Sequence, residues 1–172
     1  MNVLRFLRTE CIQLDLDVVP TEAGEDETEA QQRKRLERDK DRVLDALVTI
    51  YERSDQVVNR NKFLKDLDHR ERKATTGIAP GIAIPHVRTL QMRSFVMGFA
   101  RAAGEGVPYL SLDGSPTRYF FLLASPPYDD RMYLQVYKEL AGLLLDEDFI
   151  AALDVAKDGQ EVYQIFRQRW VS

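Results

Sequence analysis

Few side chains in this 172-residue chain could do chemistry: two histidines, His69 and His86, and one cysteine, Cys11. His86 closes the run Gly81-Ile82-Ala83-Ile84-Pro85-His86. A neutral imidazole is a nucleophile near neutral pH and can carry a proton or a phosphoryl group. The glycines and prolines before His86 favour a backbone whose amides face a ligand. A hydrogen-bonded structural histidine is the competing reading. His69 lies among charged neighbours, Asp68, Arg70, Glu71 and Arg72, and reads as part of a solvated face. Arg70 is close enough in sequence to Thr75-Thr76-Gly77 to reach an anion beside His86; otherwise it pairs with a surface acid. Cys11 is expected in or near the first strand, with nothing beside it to lower its pKa.

These counts exclude several chemistries. One cysteine forms no internal disulfide, and two histidines without HExxH spacing give no zinc signature, so neither a metal nor a cofactor is expected. GxSxG, P-loop and GxGxxG motifs are absent from the sequence. With 24 basic and 28 acidic residues the formal charge is −4, which argues against general nucleic-acid binding. Arg5, Arg8, Glu10 and Asp15 break the opening apolar run, so it does not read as a signal peptide. No stretch approaches the ~18 apolar residues of a membrane span, and the expected location is the cytoplasm.

The elements that must position His86 follow from periodicity. Ile12, Leu14, Leu16 and Val18 alternate with polar residues as in a half-buried strand, which Pro20 ends. The acidic segment 21–33 reads as a solvated loop or a frayed helix start. Apolar residues at helical spacing predict a helix over 33–53, and Asn59 reads as the N-cap of a second running to about Arg72. Gly81 to Ile84 reads as a short buried strand, with His86 at its C-terminal end beyond Pro85. Strands are expected over 94–102 and 119–124, the latter apolar throughout and therefore buried on both faces. Helices are expected over 129–145, 146–156 and 161–170, with Gly159 as a break. Such interspersion predicts one domain over 1–172, α/β and bordering on α+β.

Thr76-Gly77-Ile78-Ala79-Pro80-Gly81-Ile82-Ala83-Ile84-Pro85-His86 resembles the signature T-G-I-G-N-G-I-A-I-P-H-G of enzyme IIA domains of type 2, the fructose, mannitol and nitrogen-regulatory class of the bacterial phosphotransferase system. The likeness extends along nearly the whole chain: Cys11 to Leu16 to the first strand, Phe63 to Arg72 to the helix before the signature, Leu112 to Pro116 to a turn, and Phe120 to Ser125 to the central strand. It implies a mixed sheet flanked by helices on both faces. It also implies that His86 accepts a phosphoryl group from an HPr-type phosphocarrier protein. The group would pass to a IIB-type partner or be held as a regulatory signal. On this resemblance Arg70, Thr76, Arg88 and Tyr133 would stabilise the phosphate. The alternative is a non-catalytic regulatory module that keeps the fold and acts by protein contact. Three positions depart from the pattern. Pro80 replaces an asparagine, Val87 replaces a glycine, and Tyr133 stands where the family has a second active-site histidine.

Overall fold

The run Tyr119-Phe120-Phe121-Leu122-Leu123-Ala124 has no polar face, and the computed structural model, which describes residues 2–170, places it in the middle of a six-stranded mixed sheet. A 3-10 turn (Val3–Phe6) precedes β1 (Leu7–Leu16), followed by α1 (Glu29–Glu52) and α2 (Arg60–Lys73). Next come β2 (Gly77–Ala79), β3 (Ile82–Ala83), β4 (His86–Arg88), β5 (Val96–Ala102) and β6 (Tyr119–Ser125). Then follow α3 (Asp130–Leu143), α4 (Glu147–Val155) and α5 (Gly159–Trp170). The strand order is β1-β5-β6-β3-β2, with β4 also paired to β6.

Both faces of the sheet are buried. Phe120, Leu122 and Ala124 pack with α1 and α2 residues such as Val43, Leu47, Tyr51 and Phe63. Phe121 and Leu123 pack on the other side with Val136, Phe149 and Phe166 of α3, α4 and α5. Helices thus flank the sheet on both faces, as expected. β1 is longer than its alternation implied and is buried on both faces. Ile12 and Leu14 pack toward α3–α5 and Leu16 toward α1. The switch of face follows from the left-handed backbone at Asp15 (φ 57°) and a register shift between Gln13 and Leu16.

The caps agree with local chemistry. Asn59 accepts from the Lys62 amide, as its position predicted. α1 begins at Glu29, inside the acidic segment, because Thr28 and Gln31 form a reciprocal capping box. Gly159 opens α5 instead of breaking a helix, since Asp158 caps it through the Glu161 amide.

The chain around the signature departs from expectation in one respect. His86 does not trail a strand; it starts one. β3 and β4 both run parallel to β6, one beyond the other: Ile82 and Ala83 pair with Tyr119 and Phe120, and His86 to Arg88 pair with Leu123 to Ser125. Pro85 lacks an amide proton, but its carbonyl still accepts from Leu123, so the chain re-enters the sheet immediately. Pro80 and Gly81 (φ 73°) form the tight turn between β2 and β3, with proline and glycine at the corners a type II turn favours. Pro80 is therefore accommodated by the turn. Val87 is buried in extended β4, where no left-handed conformation is needed.

A buried polar network joins this region to the helices. Lys40 of α1 lies 2.8 Å from the Glu71 carboxylate of α2 and donates to Thr75 at 3.2 Å. Glu71 accepts from both the amide and the hydroxyl of Thr76, at 2.7 and 2.8 Å. With that hydroxyl proton committed, the Tyr109 hydroxyl donates to Thr76 at 3.1 Å. Removing one partner of a buried pair strands the other charge. Lys40→Met is therefore expected to lower the unfolding free energy by about 3 kcal/mol in urea titrations, whereas Lys40→Met combined with Glu71→Leu recovers much of the loss.

Candidate functional site

His86 is held at both ring nitrogens. Nδ1 lies 2.6 Å from the carbonyl oxygen of Ile84, and Nε2 lies 3.0 Å from Nη2 of Arg70. A guanidinium only donates, so Nε2 is the acceptor and Nδ1 carries the proton given to Ile84. This tautomer leaves the lone pair on Nε2, the nitrogen that faces Arg70 and the cleft. The Ile84–His86 bond spans two residues across rigid Pro85. The Tyr51 hydroxyl, fully buried, secures the same stretch from α1. It donates to the Pro85 carbonyl at 2.9 Å, with the Leu123 carbonyl at 3.2 Å. In the sequence Tyr51 is one of the apolar residues at helical spacing over 33–53, and nothing in that spacing distinguishes its polar tip.

Arg70 reaches His86 because α2 is pinned to β4. Asp66, one turn before Arg70, accepts from the Thr89 hydroxyl, and the Thr89 amide donates to Ser125 of β6. Residues four apart share a helix face, so the Asp66 contact presents Arg70 to the imidazole. Arg70 also donates to the Ala74 carbonyl at 3.1 Å.

A cleft of about 750 Å³ opens over these groups. His69, Arg70 and Lys73 line it from α2, His86 and Arg88 from β4, and Asp130 and Tyr133 from α3. His69 is exposed, as expected, yet stands on the cleft wall. Arg88 forms an ion pair with Asp130, and its guanidinium carbon lies 5.4 Å from the Tyr133 ring centroid. Tyr133 packs with its ring inward, 7% exposed, its centroid 6.0 Å from that of His86. Tyr137, one turn further along α3, meets the imidazole edge-on at 5.1 Å. Arg70, Arg88, Tyr133 and His86 are thus brought together. Thr76 is not among the cleft-lining groups: it is 2% exposed, and its amide and hydroxyl are both taken by Glu71.

Electrostatics favour a neutral His86. Burial holds the imidazole below its ordinary pKa, and the Arg70 and Arg88 charges act the same way, while the Ile84 carbonyl opposes them. Burial pushes the Tyr133 hydroxyl well above the usual phenol range, so it stays protonated and can donate but not act as a base. Cys11, fully buried, is pushed up to about 12 by burial and is no reactive thiolate. Among the described residues no His/Cys/Asp/Glu cluster could hold a metal ion, and no helix is long and apolar enough to cross a membrane.

Because its pKa is depressed, His86 is expected to remain neutral as pH falls through the ordinary histidine value of about 6.5 and to protonate only below it. Histidine ¹⁵N resonances should show the Nδ1–H tautomer at neutral pH, and Arg70→Gln should move the midpoint part of the way back up.

The family described as the phosphoenolpyruvate-dependent sugar phosphotransferase system, EIIA 2, matches residues 29–169. A fructose-specific EIIABC component of Bacillus subtilis is 30% identical over 131 residues; the match covers 76% of this chain and only 20% of that protein. The chain thus spans about a fifth of that relative. A fructose-specific EIIA component of Haloferax volcanii is 32% identical over 113 residues, covering 66% of this chain and 73% of its own length. Among solved structures, the nitrogen regulatory protein IIA-Ntr of Neisseria meningitidis superposes with a TM-score of 0.75 at 24% identity, covering 96% of this chain and 99% of its own, a likeness of fold. With a histidine at the sheet, its Nε2 open to a cationic cleft, and a family match over most of its length, this chain belongs to the EIIA type 2 family of the phosphoenolpyruvate-dependent sugar phosphotransferase system.

Proposed function

We propose that this chain is a phosphocarrier of the phosphotransferase system that accepts a phosphoryl group on Nε2 of His86 from an HPr-type protein. The observation that carries this reading is the tautomer. Nδ1 is tied to the Ile84 carbonyl while Nε2 points at Arg70 in an open cleft. In the transfer, the Nε2 lone pair attacks phosphorus and the donor's N–P bond breaks, its electron pair returning to the donor nitrogen. His86 becomes cationic and keeps its Nδ1 proton, which the Ile84 carbonyl stabilises. Arg70 must leave the lone pair and turn its N–H groups to the equatorial oxygens, where positive charge favours the transition state. Arg88 can supply a second cation. Tyr133 can donate one hydrogen bond but cannot exchange protons with His86.

The phosphoryl group then passes to a IIB-type protein or stays as a signal to a regulatory partner. The relatives' names support both outcomes, since fructose-specific components and nitrogen regulatory proteins are both among them. The absence of a strongly basic balance supports a protein partner over nucleic acid. The matching setting is the cytoplasm, where phosphoenolpyruvate is available.

With phosphoenolpyruvate, enzyme I and an HPr-type protein, the chain is expected to gain the mass of one acid-labile phosphoryl group, and His86→Ala to gain none. Label retained by His86→Ala, or no label on the unmodified chain, would overturn the proposal. Arg70→Gln should slow acceptance by roughly a hundred-fold while leaving the unfolding transition near its original position, as expected for loss of one charge-stabilising donor. Tyr133→His is expected to speed transfer, because an imidazole there can take a positive charge beside the phosphoryl oxygens where the phenol cannot.

A further inference from the structure

Asp130 has no role in the transfer chemistry described above, yet it faces the cleft from the first turn of α3 and holds Arg88 in an ion pair. His86 and Arg88 are two residues apart in β4 and so point to the same side of the strand. Arg88 also lies over the Tyr133 ring, which itself packs near the imidazole. Both partners of the ion pair are solvated, the Arg88 side chain 43% and the Asp130 side chain 65% exposed, and such pairs are weak. A phosphoryl group on Nε2 carries more negative charge than one carboxylate and would sit within the same cleft. The other charged or titratable groups facing that space are Asp66, His69, Arg70 and Lys73, all from α2.

We propose that Asp130 is a charge latch on Arg88: it neutralises the arginine while His86 is unmodified and releases it to the phosphoryl oxygens once His86 is loaded. Asp130 is a positioning residue, acting through Arg88 without touching the phosphoryl group. The released carboxylate is left at the positive end of α3, next to the cap Asp129, so its loss of a partner is partly offset by the helix dipole. The exchange couples the state of His86 to the entry of α3. It rests on the reading of His86 as a phosphoryl acceptor.

The test loads His86 chemically, without any protein partner. Phosphoramidate serves as donor: its P–N bond breaks, ammonia leaves and the Nε2–P bond forms. Two quantities are read, the ³¹P titration of the phosphoryl group and the ¹⁵N signal of the Arg88 guanidinium. On loading, the Arg88 signal is expected to shift. Asp130→Asn frees Arg88 beforehand and should lower the proton affinity of the phosphoryl group by about two- to five-fold, the range of an exposed ion pair. In an Arg88→Gln background, Asp130→Asn should change nothing. The latch is overturned if Asp130→Asn has an equal effect with and without Arg88, if the Arg88 signal does not move on loading, or if phosphoramidate does not load His86. Asp129 still caps α3 in these variants, and Asp130→Ser, a second replacement without charge, should reproduce Asp130→Asn. A chain that loads from phosphoramidate but not from the protein donor fails as a phosphocarrier, while the latch is still decided by the cycle.

Discussion

The hydrogen bond from Nδ1 of His86 to the Ile84 carbonyl is the constraint on which the site depends. It decides which nitrogen keeps its lone pair, and it aims that nitrogen away from the sheet. A bond spanning two residues is only as rigid as the backbone that makes it. Here that backbone is fixed from three directions: Pro85 limits rotation, Leu123 pairs with the Pro85 carbonyl, and the Tyr51 hydroxyl reaches the same carbonyl from α1. Nε2 of His86 is thus aligned by the sheet and a helix together, without a carboxylate hydrogen-bonded to the imidazole.

The surrounding architecture divides labour between its two faces. α1 and α2 carry the polar contacts that hold the signature in place: Lys40 and Glu71 on Thr75 and Thr76, and Asp66 on Thr89. α3 closes the other side with rings, Tyr133 and Tyr137 lying against His86. Lys40 and Glu71 are buried and costly to disturb, since removing either strands the charge of the other. The aromatic side borders the solvated ion pair of Arg88 and Asp130.

The three departures from the family signature have different physical weights. Pro80 occupies a turn corner and Val87 an extended buried strand, so both are absorbed by the backbone. Tyr133 alters chemistry: its ring keeps the packing near His86, but a buried phenol keeps its proton where an imidazole would exchange it. Thr76 shows the converse. It matches the signature, yet its polar groups are consumed by Glu71, and its contribution is to anchor the loop that leads to His86.

The sequence by itself determined the strong periodic elements and singled out His86 as the candidate nucleophile. An apolar run such as 119–124 must be buried on both faces, the α1 and α2 stripes must face the sheet, and a histidine beyond Ile84-Pro85 is marked by its local context. It also placed Arg70 within reach, by chain distance alone. Only the tertiary structure decided that His86 begins a strand, because re-entry into the sheet depends on Leu123, a residue far along the chain. It alone brought Tyr51 to the Pro85 carbonyl, Asp66 to Thr89, Glu71 to Thr76 and Asp130 to Arg88. Each resembles an ordinary helix residue in sequence, and its role comes from a partner on another element. Periodicity records which face of an element is buried; it does not record which polar atom on that face meets another across the fold.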